Sequence, residues 1–247
     1  MNQYNYRITI EYDGSDYYGW QRQKKFSNTI QEITENSLEK LLKEKVSITG
    51  AGRTDAGVHA YNQTANFKTY KRIVNTEKFL YSLNSILPDS ITVKNIKKVK
   101  AEFHSRYSAK KREYLYKITT KDISIGRKYY HKLNYKLDFK IIDEFIKMLT
   151  GYKSFKSLCK NSEDKHNFCC DMKSITYKNN RKKGTIEFKL TSDRYLHSMV
   201  RAILGTLIDL GRNKIELKET ITKFNKGEKI RATYLPANAL FLNKIYY

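Results

Sequence analysis

Apolar and polar residues alternate at the start of the chain. Tyr6, Ile8, Ile10 and Tyr12 are separated by Arg7, Thr9 and Glu11, the period of two that marks a strand with one buried face. Thr29 and Glu32 then form a Thr-x-x-Glu capping box, and Ile30, Ile33, Leu38, Leu41 and Leu42 follow on one face of a helix. A short strand is expected over 46–49, then a glycine-rich loop, then a strand with Gln63, Ala65 and Phe67 on one side. Phe79, Leu80, Leu83 and Ile86 predict a second helix that stops before Pro88, and Ile91 and Val93 open the next strand.

The remainder repeats the series. Tyr114, Tyr116 and Ile118 mark a strand, and Asp138 caps a helix through Ile142, Phe145, Ile146 and Leu149 that Gly151 stops. Strands are expected over 172–177 and 185–190. The strongest helix is predicted over 195–210, with Leu196, Val200, Ile203, Leu204, Leu207 and Ile208 on one face and Gly211 as its stop, and a last strand over 239–245. Both halves read β-α-β-β-α-β, the ferredoxin-like series. The expected fold class is therefore α+β, with two ferredoxin-like or RRM-like halves, 1–105 and 106–247, side by side as one catalytic unit. Sheets of this topology also bind RNA in RRM modules, but a fold does not fix a function.

Charge narrows the partner. The 247 residues carry 48 Lys+Arg against 25 Asp+Glu, a formal charge of +23, which points to a polyanion. At 40% hydrophobic and 13% aromatic the chain is too rich in core-forming residues to be a disordered basic tail. The cations are spread over the whole chain rather than set on one amphipathic helix, which favours nucleic acid over a membrane surface. The 20 tyrosines and 11 phenylalanines suit stacking on unpaired nucleotides, although tyrosine is also an ordinary strand residue. No stretch approaches the roughly 18 apolar residues of a membrane span, and the first residues lack a signal-peptide pattern. A soluble, cytoplasmic protein is expected.

Cys159, Cys169 and Cys170 are an odd count in one stretch, which is not a secreted disulfide framework. With His166 they form a Cys-x6-His-x2-Cys-Cys cluster. Adjacent cysteines chelate one tetrahedral ion awkwardly and no Cys-x2-Cys knuckle is present, so reduced thiols are favoured over zinc. Asp13-Gly-Ser-Asp16 lacks the spacing and the twelfth-position Glu of a calcium loop.

The chemistry is concentrated in Gly50-Ala-Gly-Arg-Thr-Asp-Ala-Gly-Val-His59. A dinucleotide fingerprint needs glycine where Asp55 stands, and a P-loop needs Gly-Lys-Ser/Thr, so neither phosphate cradle is present. What remains is a carboxylate in a loop of small residues, with Arg53 two positions before it and His59 four after. Such a carboxylate serves as nucleophile or base, or it hydrogen-bonds its own turn.

Residues 52–59, Gly-Arg-Thr-Asp-Ala-Gly-Val-His, resemble the active-site signature of the tRNA pseudouridine synthase A family. Four further stretches resemble that family in order: Glu11-Tyr-Asp-Gly-Ser-Asp-Tyr-Tyr-Gly-Trp-Gln-Arg22; Phe103-His-Ser-Arg-Tyr-Ser-Ala109 followed by Tyr114; His197-Ser-Met-Val-Arg201; and Ala239-Leu-Phe-Leu242. The resemblance implies an isomerase that forms pseudouridine in the tRNA anticodon stem-loop, at tRNA positions 38–40, as a homodimer and without a cofactor, nucleotide or metal. It implies Asp55 as nucleophile, Arg201 as its ion-pair partner, Tyr114 as a stacking platform for the flipped base, Arg53 as an RNA-holding residue and Leu240 as packing against the site.

Physical reasoning sits beside these assignments. Extruding a uridine costs a few kcal/mol, which an arginine and an aromatic offset in part. An arginine on the edge of the apolar face of the 195–210 helix needs an acceptor, unless it snorkels to solvent. Tyr114 is otherwise a strand-core tyrosine. His59, His104 and His197 are read as structural or RNA-contacting. The family usually has an arginine shortly before the strand of the second half; Phe168–Lys173 has none, and Lys173 is a displaced substitute. That departure bears on which RNA is used, so ribosomal RNA is a close alternative. A non-catalytic RNA-binding module is the other class, against which RRM signature strings are absent.

Overall fold

The computed structural model describes residues 3–160, 167–231 and 233–247. It is a mixed α+β fold of two compact units. One holds the chain up to Lys110 together with Phe241–Tyr247, and the other holds Lys111–Leu240. The sequence division at 105/106 placed the last strand wholly in the second half. Its residues from Phe241 onward pack with the first unit, because they run alongside a strand of that unit.

The first unit contains β1 (Tyr4–Tyr12), α1 (Ile30–Leu42), β2 (Ile48–Gly50), β3 (His59–Thr69), α2 (Thr76–Asn84) and β4 (Ile91–Val99). β1 lies antiparallel between β3 and β4. Along the other edge of β3, β2 pairs antiparallel at Ala65–Phe67. The strand order is thus β4-β1-β3-β2. Tyr6, Ile8, Ile10 and Tyr12 are buried as their alternation predicts, and Tyr6 stacks on its cross-strand partner Phe67 at 5.8 Å. Thr29 caps α1 by accepting from the Glu32 amide at 3.4 Å.

Two expectations in this unit change. The second helix ends at Asn84, so that Leu83 and Leu87 are buried while Ile86 is exposed. The buried stripe of α1 is partly polar: Gln31, Thr34, Glu35 and Ser37 lie under it with Ile30, Leu38 and Leu42. Glu35 explains this. One oxygen accepts from the Ile48 amide and from Gln31 Nε2, both at 2.9 Å, and the other pairs with Arg22 at 2.6 Å. A buried carboxylate satisfied this completely fixes α1 against β2.

The second unit contains β5 (Lys111–Thr119), β6 (His131–Lys132), α3 (Phe139–Leu149), β7 (Gly151–Ser154), β8 (Cys169–Asn180), β9 (Thr185–Ser192), α4 (Met199–Gly211) and α5 (Leu217–Lys226). Its strands follow the order β5-β9-β8-β7, antiparallel throughout, and β6 adds a short parallel pairing to β5. The last strand of the chain is β10 (Leu240–Tyr246), whose Phe241 and Leu242 pair in parallel with His59 and Ala60 of β3.

α4 differs most from its expectation. It begins at Met199 rather than near 195, because Ser198 takes a left-handed conformation (φ 55°) that a helix cannot include. Every residue of α4 except Arg201 is buried, so it is enclosed on all sides rather than amphipathic. α5, β6 and β7 were not predicted. The apolar residues of α5 are few, and only Thr220 and Phe224 are buried.

No helix among the described residues is long and apolar enough to cross a membrane. Cys159 and Cys170 are buried, and burial pushes the Cys170 thiol up to about 12. His166 lies outside the described residues, among which no group of three or more His, Cys, Asp or Glu is placed to hold a metal.

Replacing Glu35 with Ala leaves the Ile48 amide and Gln31 without their acceptor. The expected loss is about 1–3 kcal/mol, read as a lower urea midpoint at unchanged m-value. An unchanged midpoint would show that Glu35 does not hold α1 to β2.

Candidate active site

The loop between β2 and β3 is held by the segment that follows β1. The Trp20 amide donates to Thr54 O at 3.1 Å, and the Gly57 amide to Tyr17 O at 3.4 Å. Thr54 is tied a second time, its buried hydroxyl lying 2.8 Å from that of Tyr12. Asp55 O accepts from the Val58 amide at 3.2 Å, which closes the turn around the half-buried Asp55.

This clamp demands two glycines. A Cβ on Gly19 would lie 2.5 Å from Thr54 O and 3.0 Å from the Asp55 carbonyl carbon, and Gly19 has φ +85°. A Cβ on Gly14 would lie 2.0 Å from Val58 O. The same short stretch starts α1, whose first amides, Ile30 and Gln31, donate to Gly19 O and Trp20 O. Asp55 therefore stands on backbone fixed from both sides.

Arg53 is exposed, and Gln21 orients it by accepting from its Nε at 3.0 Å. Gln21 Nε2 donates to Gln31 Oε1 at 2.8 Å, and Gln31 reaches buried Glu35. Arg53 is thus linked through two glutamines to the carboxylate that anchors α1.

His59 ends the loop and is 1% exposed, which agrees with a structural role. Its Nδ1 is 3.0 Å from both the Gly14 amide and Asp13 Oδ1. A neutral Nδ1 accepts from the amide, and a protonated one donates to the carboxylate. Its ring stacks on Phe241 at 4.7 Å, and Tyr61 stacks on the same ring at 4.9 Å. The last-strand motif is thereby brought beside the end of the signature loop. Leu240, the residue before Phe241, is buried.

In the second unit, Tyr114 lies on β5 opposite Leu190 and is buried. Its ring meets Tyr195 edge-on at 5.0 Å. The Tyr195 hydroxyl is buried without a hydrogen-bond partner among the described residues, and burial raises its pKa well above the usual tyrosine value.

Arg201 is the third residue of α4, not a mid-helix residue as its apolar surroundings suggested. That places a cation at the positive end of the helix dipole, which is unfavourable by about 0.3–1 kcal/mol unless acceptors compensate. One acceptor is Leu235 O, 2.6 Å from Arg201 Nε. The segment that carries Leu235 is itself pinned to α4. Asp209, 1% exposed, accepts from the Thr233 amide at 3.2 Å and its hydroxyl at 2.9 Å, and pairs with Arg212 at 2.8 Å. Thr233 crosses so close to α4 that a Cβ on Gly205 would lie 1.6 Å from Thr233 O. Tyr116 supports the next residue by donating to Pro236 O at 3.1 Å. Burial pushes its phenol pKa up strongly, and the Arg201 charge lowers it only in part.

Asp55 and Arg53 thus share one loop of the first unit, and Tyr114 and Arg201 belong to the second. The sequence reading missed Gln21, Gly205, Asp209 and Thr233 as supports. Only Asp209 left a signal there, as the one carboxylate in a largely apolar helix.

A family model described as tRNA pseudouridine synthase matches residues 8–108 and 145–247. The chain belongs to this family. It is 34% identical over 247 residues to tRNA pseudouridine synthase A of Acetivibrio thermocellus, covering 98% of this chain and 99% of the relative. It is 35% identical over 246 residues to tRNA pseudouridine synthase A of Thermoanaerobacter sp. (strain X514), with 98% and 99% covered, and 36% identical over 249 residues to that of Clostridium acetobutylicum, with the same shares. The two matched stretches of this pseudouridine synthase family contain Arg53, Asp55, Arg201 and Leu240, whereas Tyr114 falls between them.

Replacing Gly205 with Ala forces the Thr233 segment off α4 and displaces the carbonyl that holds Arg201. It should destabilise the protein by about 1–3 kcal/mol. Gly52→Ala, whose Cβ meets nothing within 4 Å, should leave the melting temperature unchanged. Equal melting temperatures for the two variants, measured by circular dichroism, would refute the close crossing.

Proposed function

We propose that this enzyme converts uridine to pseudouridine in the anticodon stem-loop of tRNA, at tRNA positions 38–40, with Asp55 as its nucleophile. The reaction is an isomerisation. The N1–C1′ bond breaks, the uracil turns, a C5–C1′ bond forms, and the proton lost from C5 is balanced by one gained at N1. No oxidation or hydrolysis occurs, so the chemistry needs no redox or nucleotide cofactor.

One observation carries the reading most directly: the half-buried Asp55 sits in the family's signature loop, on a turn that the first-strand motif clamps through Thr54 and Gly57. A carboxylate on rigid backbone loses little entropy on reaching the sugar or the base. Arg201 is assigned as the counter-ion of Asp55, and its position at the positive end of α4 supports a role that requires an anion. Tyr114 is assigned to the flipped base, Arg53 to the RNA around it, and Leu240 to packing beside the site. Aromatic stacking and an oriented arginine both offset the cost of extruding the uridine.

The strand order β4-β1-β3-β2 supports a ferredoxin-like first half. In the second half, β5, α3, β8, β9 and α4 follow the same series. We assign the working enzyme as a cytoplasmic homodimer of such chains acting on tRNA.

The discriminating experiment incubates the protein with RNA that lacks pseudouridine and maps new sites by carbodiimide-dependent reverse-transcription stops. Stops at tRNA positions 38–40 are expected. Stops only in ribosomal RNA would move the substrate, and their complete absence would leave an RNA-binding module. Asp55→Ala should reduce turnover by about 10³-fold or more while tRNA affinity stays within a few-fold. Loss of binding with residual turnover would remove Asp55 from the nucleophile role. Arg201→Ala should lower kcat by about 10²-fold. If Asp55 and Arg201 act together, the double variant is no slower than Asp55→Ala alone; additive losses would separate them.

A further inference from the structure

We propose that the segment between β1 and α1 is a stacking platform for an unpaired nucleotide of the bound RNA, separate from the flipped base. This rests on the tRNA reading above. Tyr18 and Phe26 are 49% and 41% exposed, and their rings stack on each other at 4.3 Å with 25° between their planes. Two large aromatic rings held parallel at the surface present a flat π-face of the kind on which a nucleobase stacks.

The segment is held in this shape. The Tyr18 amide donates to Asn28 O at 2.9 Å, Gln23 Nε2 to Tyr18 O at 2.9 Å, and Asn28 Nδ2 to Asp16 O at 2.6 Å. Its charge identifies the partner. Lys24 and Lys25 lie between the two aromatics in sequence, beside Arg22, which Glu35 holds, and no acidic residue occurs between Asp16 and Glu32. An apolar protein partner does not require this cationic border, whereas a nucleic acid strand supplies a base for the rings and phosphates for the lysines. The platform also adjoins the signature loop through the backbone. Tyr17 O accepts from Gly57, and Gln21, three residues after Tyr18, orients Arg53. A base stacked here lies on the same RNA that presents the target uridine.

Two assays test the proposal. In steady-state pseudouridine formation on an unmodified tRNA transcript, Phe26→Ala should raise KM by about 5- to 150-fold, the equivalent of losing one stacked base. Its kcat should stay near that of the unchanged enzyme, because stacking away from the reacting base is uniform binding. Phe26→Trp should restore KM. In the second assay, on an Asp55→Ala background, the indole introduced by Phe26→Trp should be quenched by an anticodon stem-loop RNA. Native Trp20 is 2% exposed and contributes a nearly constant signal.

An unchanged KM for Phe26→Ala, a fall in kcat alone, a failure of Phe26→Trp to restore KM, or emission insensitive to saturating RNA would each overturn the platform. Absence of turnover by the unchanged enzyme in the same assay would instead overturn the tRNA reading. Should Phe26→Ala not fold, the Phe26→Trp emission decides alone.

Discussion

The close approach of two backbone segments, Gly19-Trp20 and Thr54-Asp55, is the constraint on which the rest of the first unit depends. Within two residues the chain donates to Thr54, accepts from both leading amides of α1 and excludes any side chain at position 19. The start of α1 and the placement of Asp55 are therefore one problem with one solution. A shift that relaxed the loop would also strip the first turn of α1 of its acceptors, and buried amides left without partners are costly. The network from Arg53 through Gln21 and Gln31 to Glu35 applies the same logic to side chains: the exposed end is oriented by the chain whose buried end holds the helix.

The second unit solves a similar problem by different means. The Arg201 guanidinium stands where the helix dipole repels it. α4 is enclosed on every other side, so its position is set by packing, and Asp209 two turns further on fastens the segment whose carbonyl receives Arg201. A buried carboxylate with two backbone and side-chain donors and an arginine is stable only as a complete set, so this anchor is as exacting as a core contact.

Much of this was legible in the sequence. β1, β3, β5, α3 and the paired strands β8 and β9 follow from alternation, capping and helical spacing, because in each the local pattern agrees with the packing; α1 follows from its cap, although its buried stripe is partly polar. Asp55 stood out as the carboxylate of a loop of small residues whose string resembles the family's signature; an Asp there also suits an ordinary turn. The failures have physical causes. The start of α4 was placed near 195 because Leu196 continues the apolar spacing; only the left-handed Ser198 ends it, and serine carries no sequence mark of that conformation. Ile86 fits the helical spacing of α2, yet the chain turns at Ser85 and buries Leu87 instead. α5 has too little apolar surface to be seen. Gln21, Gly205 and Thr233 act through distances of a single atom between segments remote in sequence, which no local pattern records.

Charge can now be divided by use. The carboxylates at the deepest sites, Glu35 and Asp209, are occupied by structure: Arg22 serves the first, and Arg212 with Lys214 the second. Even if every one of the 25 acidic residues held one cation, 23 of the 48 lysines and arginines would have no acidic partner within the chain. Such an excess destabilises the compact state by self-repulsion, and binding a polyanion relieves it. RNA affinity is thus coupled to folding electrostatics, and each phosphate contact contributes roughly 0.7 to 0.9 to the slope of log affinity against log salt. The aromatic rings at Tyr18 and Phe26 stand outside that relation, since stacking is insensitive to counter-ions; where the charge grips any RNA, a fixed π-face at one place on the surface selects an RNA that offers an unpaired base there.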